Sequence, residues 1–381
     1  MPLYRSWIIK VLICGGGVIG TSTAYFLSQR GVEVSVVERT GLANAASGKS
    51  GGFLALDWCD GSPLAPLARR SFNLHAELAT TLECDWGYRR VETLSVVSSI
   101  HQDMSRYRRL DAPAWLGKDS VVYRQLGTTD NTAQLHPAMF TKAMMAAATN
   151  HGATLIEGCI DGLLSSPDKQ RVTGAIVNGA EVFADAVVIA MGPWSILACQ
   201  WLPLPATHGL KGHSLVFKYK PSPESLFVEL EWKSGMMTQP EINPRPDGTT
   251  YVCGLSGEDL LPVDPANVLP EPGASDTLRE MTRRISPELG SSEILAEQAC
   301  YRPATQDGLP LIGAVSGPTG AYIATGHNVW GMLNAPATGE ALTELILGDG
   351  ETTVDLRPFD PSRMAALAPD DVSPRLRGAV A

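Results

Sequence analysis

The chain has 381 residues, enough for one large core or two smaller ones, and its 44% hydrophobic and 18% charged residues fit a globular protein in water. Its net charge of −10, with no run or stripe of Lys and Arg, excludes nucleic acid as an expected partner. No uncharged apolar run reaches the roughly 18 residues of a membrane span.

Residues 7–14 read as a buried strand that contains Lys10 and lacks signal-peptide architecture. It runs into Gly15-Gly-Gly-Val-Ile-Gly20, in which Gly15, Gly17 and Gly20 keep the G-x-G-x-x-G spacing. The first allows a tight turn, the second lets a pyrophosphate approach the backbone, and the third lets a helix pack on its strand. Open N–H groups at the helix start, around Val18 and Ile19, attract phosphate charge. The helix runs to about Arg30 and closes at Gly31. A second buried strand, residues 32–37, ends at Glu38, 18 residues beyond Gly20. A carboxylate there accepts hydrogen bonds from a ribose and repels a 2′-phosphate. Strand, turn, helix, second strand and acid, in that order, point to an adenine dinucleotide.

After Arg39, residues 40–53 form a small-residue segment that includes Ser47, Gly48, Lys49, Ser50, Gly51 and Gly52. It is either a plain flexible loop or a surface against which a flat ring or a second phosphate lies. Residues 64–86 have helical period, and residues 88–97 read as strands. A helix over 138–150 ends at His151-Gly152 and precedes a strand over 154–159. Residues 172–177 and 181–183 form a hairpin turned by Asn178-Gly179. The apolar strand 186–190 ends with Ala190 and gives way to Met191-Gly-Pro-Trp194, where Gly192 permits close backbone approach beside Trp194.

From 210 to 254 the pattern changes to short alternating strands, an antiparallel sheet. Residues 276–285 are helical, 322–325 form a buried strand, and Gly326-His-Asn-Val-Trp-Gly331 follows. The last helix spans 336–347, with Pro336 in its first turn and Gly348 as its stop. The tail after Pro361 is expected to be loosely held. The seven cysteines include no C-x-x-C pair, which suits a reducing compartment, and the seven histidines show no metal-ligand spacing, so no metal is expected. The C-terminal Gly-Ala-Val-Ala is not a peroxisomal tripeptide. A cytoplasmic location is expected.

NAD and FAD both explain the opening unit. The 47–52 loop, the strand ending at Ala190-Met-Gly-Pro-Trp-Ser195 and the glycine-rich loop before the last helix favour FAD. Through these segments the chain resembles the D-amino-acid oxidase superfamily of FAD-dependent oxidoreductases, the group with glycine oxidase and monomeric sarcosine oxidase. The resemblance covers residues 10–347 and rests on GGGVIGTSTAYFLSQRGVEVSVVER, ADAVVIAMGPWS, YRPATQDGLPLIG and GHNVWGMLNAPATG. The second half is especially similar to a poorly characterised eukaryotic branch.

The resemblance implies an α/β fold. A Rossmann-type, GR2-like FAD-binding domain would be assembled from 1–56, 131–206 and 298–360. An inserted substrate domain, an antiparallel β-sheet plus helices, would take 57–130 and 207–297, with a tail at 361–381. It also implies an isoalloxazine at the domain boundary, near Gly326, Gly331, Met332 and Leu333. The helix start, at 334–338, would face the flavin pyrimidine edge and stabilise reduced flavin.

Arg302, in Tyr301-Arg-Pro-Ala-Thr-Gln-Asp-Gly308, matches the R-P-x-T-x-D-G in which glycine oxidase holds its substrate carboxylate. The bland alternative is an ion pair with Asp307. Two positions depart from glycine oxidase: Val329 stands where it has a second substrate arginine, and Glu241 where it has a substrate tyrosine, which makes the pocket less suited to a small zwitterion and opens it to a basic, larger or decarboxylated amine. Glu241 is either a pocket residue or a surface strand residue. Trp330 is a pocket wall or core packing, and His327 a flavin contact or a turn cap. His213 and Lys211 rank below Arg302. Cys300, Thr305 and Asp307 keep the spacing through which monomeric sarcosine oxidase bonds its flavin, although non-covalent FAD with a small buried cysteine is the favoured expectation. The expected activity is oxidation of a C–N bond of an amine or amino acid, with oxygen or another electron acceptor. An FAD-dependent 2-hydroxy-acid dehydrogenase and a non-catalytic flavin-binding protein stay open beside it.

Overall fold

The computed structural model describes residues 9–99, 101–102, 104–233 and 235–378. Trp7 and Ile8 of the expected first strand lie outside the described residues, and the strand is Lys10–Cys14. Val11 and Ile13 face a core shared with Val34, Val36 and Val188, while Leu12 and Cys14 face a second core with Val37, Val187 and Ile189. From Val11 to Cys14 the strand is apolar because alternate side chains enter two different cores and neither face is wet, while Lys10 at its start is exposed.

Six strands form the first sheet, in the order Leu311–Ala314, Ala321–Thr325, Ala186–Ile189, Lys10–Cys14, Glu33–Glu38 and Thr154–Glu157. All neighbours are parallel except the first pair. Helices Val18–Gln29, Pro137–Asn150 and Gly331–Leu347 lie on one side, and the antiparallel meander Ile160–Ser165, Val172–Val177, Ala180–Phe183 lies on the other. The expected hairpin turn has φ of 49° at Asn178 and 76° at Gly179, both positive as its tight geometry requires.

The second sheet has eight strands. Its main path runs Ile294–Ala304, His208–Lys218, Thr249–Ser256, Glu241–Pro244, Ser225–Glu231, Thr93–Ser98 and Ser120–Gly127, with Met237–Thr238 beside Ser225–Glu231. It is antiparallel apart from Ser225–Glu231 against Thr93–Ser98, which is parallel. The expected boundary between 297 and 298 therefore cuts a strand that pairs with His208–Lys218 along its length. Helix Ala65–Thr81, expected with the substrate part, packs in the helical core of the first sheet, since Leu67, Phe72, Leu74 and Leu78 form its apolar stripe.

Two further expectations are corrected. The last helix begins at Gly331, so Pro336 lies inside it. The tail is anchored over its described residues, 361–378. Arg363 Nε and Nη2 donate to Asp307 at 2.7 and 3.1 Å, Leu367 N–H donates to the Leu204 carbonyl at 2.9 Å, and Leu376–Arg377 pairs with Leu261–Pro262.

Candidate functional site

A cavity of about 700 Å³ runs past the carboxyl ends of the parallel strands and onto one face of the eight-stranded sheet. Open parallel sheets bind ligands at this end. The opening turn forms its first part. Gly15 has φ of +115°, and a Cβ there would lie 2.4 Å from the Ala190 carbonyl oxygen. At Gly20 a Cβ would lie 2.0 Å from the Gly15 carbonyl oxygen, so the helix sits on the turn only because no side chain intervenes.

Glu38 accepts from the Gly16 and Thr40 N–H groups, both at 2.8 Å, which fixes its carboxylate at the turn. The Ser47 hydroxyl accepts from the Val18 N–H at 2.9 Å, so the small-residue loop folds over the helix start. Gly17, Val18, Ile19, Arg39, Lys49, Ser50, Gly51, Ala190, Gly192, Trp194, Gly331 and Met332 also line the cavity. Gly20, Gly48, Gly52, Gly326 and Leu333 are absent from its lining; the glycines serve close packing behind it, and Leu333 is buried in the helical core. The helix end at the cavity is built by Gly331 and Met332, three and two residues before the expected 334–338, because the helix starts earlier.

Sheet register builds the other end. Cys300 lies opposite Gly212, Ser214 opposite Cys253, and Cys253 opposite Glu241. Directly paired residues share a face, and residues two apart on a strand share it too. Arg302, Cys300, Cys253, Tyr251 and Glu241 thus come to one surface, and all line the cavity.

Asp307 is engaged by Arg363, so the alternative partner for Arg302 is taken. Among the described residues the Arg302 guanidinium, the Glu241 carboxylate and the Lys49 ammonium make no hydrogen bond or ion pair of their own. Glu241 is open to the cavity but screened from bulk water. Burial raises its pKa, and the Arg302 charge opposes that rise. Burial lowers the Lys49 pKa, with Cys300 opposing. The Cys300 thiol is itself pushed up by burial, against Lys49 and Arg302.

His327 is buried, and its Nε2 meets Thr338 Oγ1 at 3.1 Å. Burial lowers its pKa to about 3, so the imidazole is neutral. Trp330 is absent from the cavity lining and packs edge-on against Trp58, with ring centroids 6.4 Å apart. Lys211 pairs with Asp259 and Glu271 at 2.6 and 3.3 Å, and His213 Nε2 accepts from the Glu271 N–H at 3.1 Å, a network that occupies both side chains. Tyr251, Cys253 and the segment 237–239 also line the cavity, although sequence reasoning did not single them out. Strand alternation signals that Tyr251 and Cys253 share a face, but which face lines a cavity depends on register.

The residues fit an elongated dinucleotide: a side-chain-free turn at a helix start, a fixed acid beside it, and a continuous path to a second helix start. Among the described residues no cluster of three or more His, Cys, Asp or Glu could hold a metal ion, and no helix is long and apolar enough to cross a membrane.

Comparison with known proteins agrees with this geometry. The family profile DAO, described as FAD dependent oxidoreductase, matches residues 10–345. Glycine oxidase of Pseudomonas putida is 26% identical, covering 92% of this chain and 98% of that protein. A Schizosaccharomyces pombe protein carrying only a general oxidoreductase description is 28% identical over 92% of this chain and 97% of its own length. The solved glycine oxidase of Geobacillus kaustophilus superposes with a TM-score of 0.75 at 23% identity, covering 94% of this chain and 100% of that one.

Proposed function

Since the chain belongs to the DAO family of FAD-dependent oxidoreductases, we propose that it oxidises the C–N bond of an amino acid whose carboxylate is held by Arg302. The observation that carries this reading is the unpaired Arg302 guanidinium on the cavity wall, with Asp307, the acid close to it in sequence, already bound to Arg363. A partly buried guanidinium without a partner is costly, and a bidentate carboxylate relieves that cost.

The residues at Gly15–Gly20, Glu38 and 47–51 would hold the dinucleotide part of FAD, and Gly331 and Met332 would face its ring end. Bound FAD supplies a two-electron acceptor for a hydride from the carbon that bears nitrogen. Arg302 orients that carbon, and the apolar and thiol side chains around it limit water. The imine product hydrolyses in water, and oxygen as acceptor would give hydrogen peroxide. Non-covalent FAD is the proposed state, in line with the raised Cys300 pKa, which keeps the thiol protonated and a poor nucleophile. A cytoplasmic location is proposed.

The 2-hydroxy-acid reading needs a strong base at the reacting carbon. His327, the histidine expected for that task, is a weak base at a pKa of about 3 and is bonded to Thr338. The test is anaerobic mixing of the yellow holoprotein with panels of amino acids, simple amines and 2-hydroxy acids. Loss of the visible flavin band with amino acids supports the proposal. Loss with hydroxy acids alone overturns it.

A further inference from the structure

We propose that Glu241 is a catalytic residue: the base that takes a proton from the substrate ammonium while Arg302 holds the carboxylate. The inference rests on the C–N reading and deepens it. It makes the substrate class a zwitterionic α-amino acid carrying at least one N–H bond.

Geometry carries it. Glu241 and Arg302 come from strands separated by two others, Thr249–Ser256 and His208–Lys218, yet both line the same cavity. They form no ion pair with each other, since no contact within the 4.0 Å ion-pair limit joins them, but the Arg302 charge is felt at Glu241. A gap between an unpaired anion and an unpaired cation suits a molecule that carries one charge of each sign. An α-amino acid does so, with carboxylate toward Arg302 and ammonium toward Glu241.

Among the described residues no second acid lies directly opposite Glu241 on either neighbouring strand. Cys253 lies directly opposite on one neighbouring strand, Tyr251 is two residues away on the same strand, and Phe227 lies opposite on the other neighbour. Arg302 reaches in from the edge strand. The pKa values of Cys253 and Tyr251 are raised well above their ordinary values by burial, so both stay neutral. Burial also raises Glu241, which makes it a better proton acceptor than an exposed carboxylate.

The step balances simply. One N–H bond of the ammonium breaks and its proton passes to a Glu241 carboxylate oxygen. The electron pair stays on nitrogen, where it drives loss of the α-hydrogen as a hydride to the family's oxidised flavin. The product is a protonated imine, which water converts to a carbonyl compound and ammonia or an amine.

The experiment compares the rate of anaerobic flavin reduction against pH in the wild-type holoprotein and in Glu241→Gln, using the amino acid that bleaches fastest. The wild-type rate should rise with pH through the Glu241 ionisation. In E241Q the rise should move up to the substrate ammonium's own pKa, with reduction on the order of 100-fold slower at pH 7 and recovering toward wild type at high pH. An unchanged profile, or a loss equal at every pH, overturns the inference.

A second readout needs no turnover. Binding of acetate and of trimethylammonioacetate is followed by perturbation of the flavin band. The preference for the zwitterionic trimethylammonioacetate over acetate should fall about tenfold in E241Q, and no change overturns the inference. If E241Q fails to retain flavin, Glu241→Asp must keep the wild-type pH limb at reduced rate, and loss of that limb overturns it. If no amino acid or amine bleaches the wild type, the C–N reading itself falls. If amino acids do bleach it and E241Q behaves as wild type, only the Glu241 inference falls.

Discussion

His75 donates from Nε2 to the carbonyl of Met332 at 2.9 Å, and the same nitrogen meets the Leu333 carbonyl at 3.1 Å. The reason is Pro336. It sits inside helix Gly331–Leu347 and has no N–H for the carbonyl four residues before it, which is Met332. The next N–H, of Ala337, is taken by the Ser71 hydroxyl at 3.1 Å, which leaves Leu333 to His75 as well. One helix, Ala65–Thr81, thus supplies both substitutes for the bonds that proline disrupts, in the segment that builds the cavity end. Replacing His75 by Leu leaves these carbonyls without a donor in the core. The expected cost is about 2 kcal/mol, read as a lower urea midpoint at unchanged slope.

Stability should fall on acidification below pH 6.5. Burial lowers the pKa of His75 to about 4 and that of His327 to about 3. Both folded values lie below the unfolded value near 6.5, so between about pH 6 and 4 the unfolded chain binds protons that the folded chain refuses. Each histidine then contributes a slope of about 1.4 kcal/mol per pH unit, with the folded state weaker at lower pH. Denaturation midpoints measured from pH 7 to pH 4 check the sign, and His75→Leu should remove one histidine's share of the slope.

Gly20→Ala should abolish flavin retention. The added methyl would lie 2.0 Å from the Gly15 carbonyl oxygen, a backbone atom that cannot swing aside. Relief requires the turn to separate from the helix start, at a cost of about 1–3 kcal/mol in overpacking and with loss of the phosphate-facing geometry. Visible absorbance of the purified variant, after incubation with excess FAD, gives the outcome.

Arg302→Met and Arg363→Met should separate function from anchoring. Arg302 has no partner among the described residues, so its loss should leave the melting temperature unchanged or raised while KM for an amino acid increases roughly 10- to 100-fold. Arg363 bridges Asp307 and the Leu309 carbonyl, so its loss should lower the melting temperature and release the C-terminal residues to protease with little change in KM. Thermal melts and initial rates on both variants decide the matter.

The sequence by itself determined the opening strand, turn, helix and acid, because each step there is set by neighbours within about one βαβ unit. Gly15 is required locally by its own positive φ of +115° and Gly20 by the Gly15 carbonyl inside that unit, Glu38 ends the second strand, and Asn178-Gly179 dictates its own turn. Only the tertiary structure decided the rest, because it depends on partners far along the chain. Pro336 reads locally as a helix start and becomes an interior residue because a distant helix supplies His75 and Ser71. Asp307, the acid near Arg302 in sequence, is instead held by Arg363, 56 residues beyond it. Glu241 and Arg302 share a cavity through the register of four strands, and a shift of one residue in any of them would turn a side chain to the opposite face.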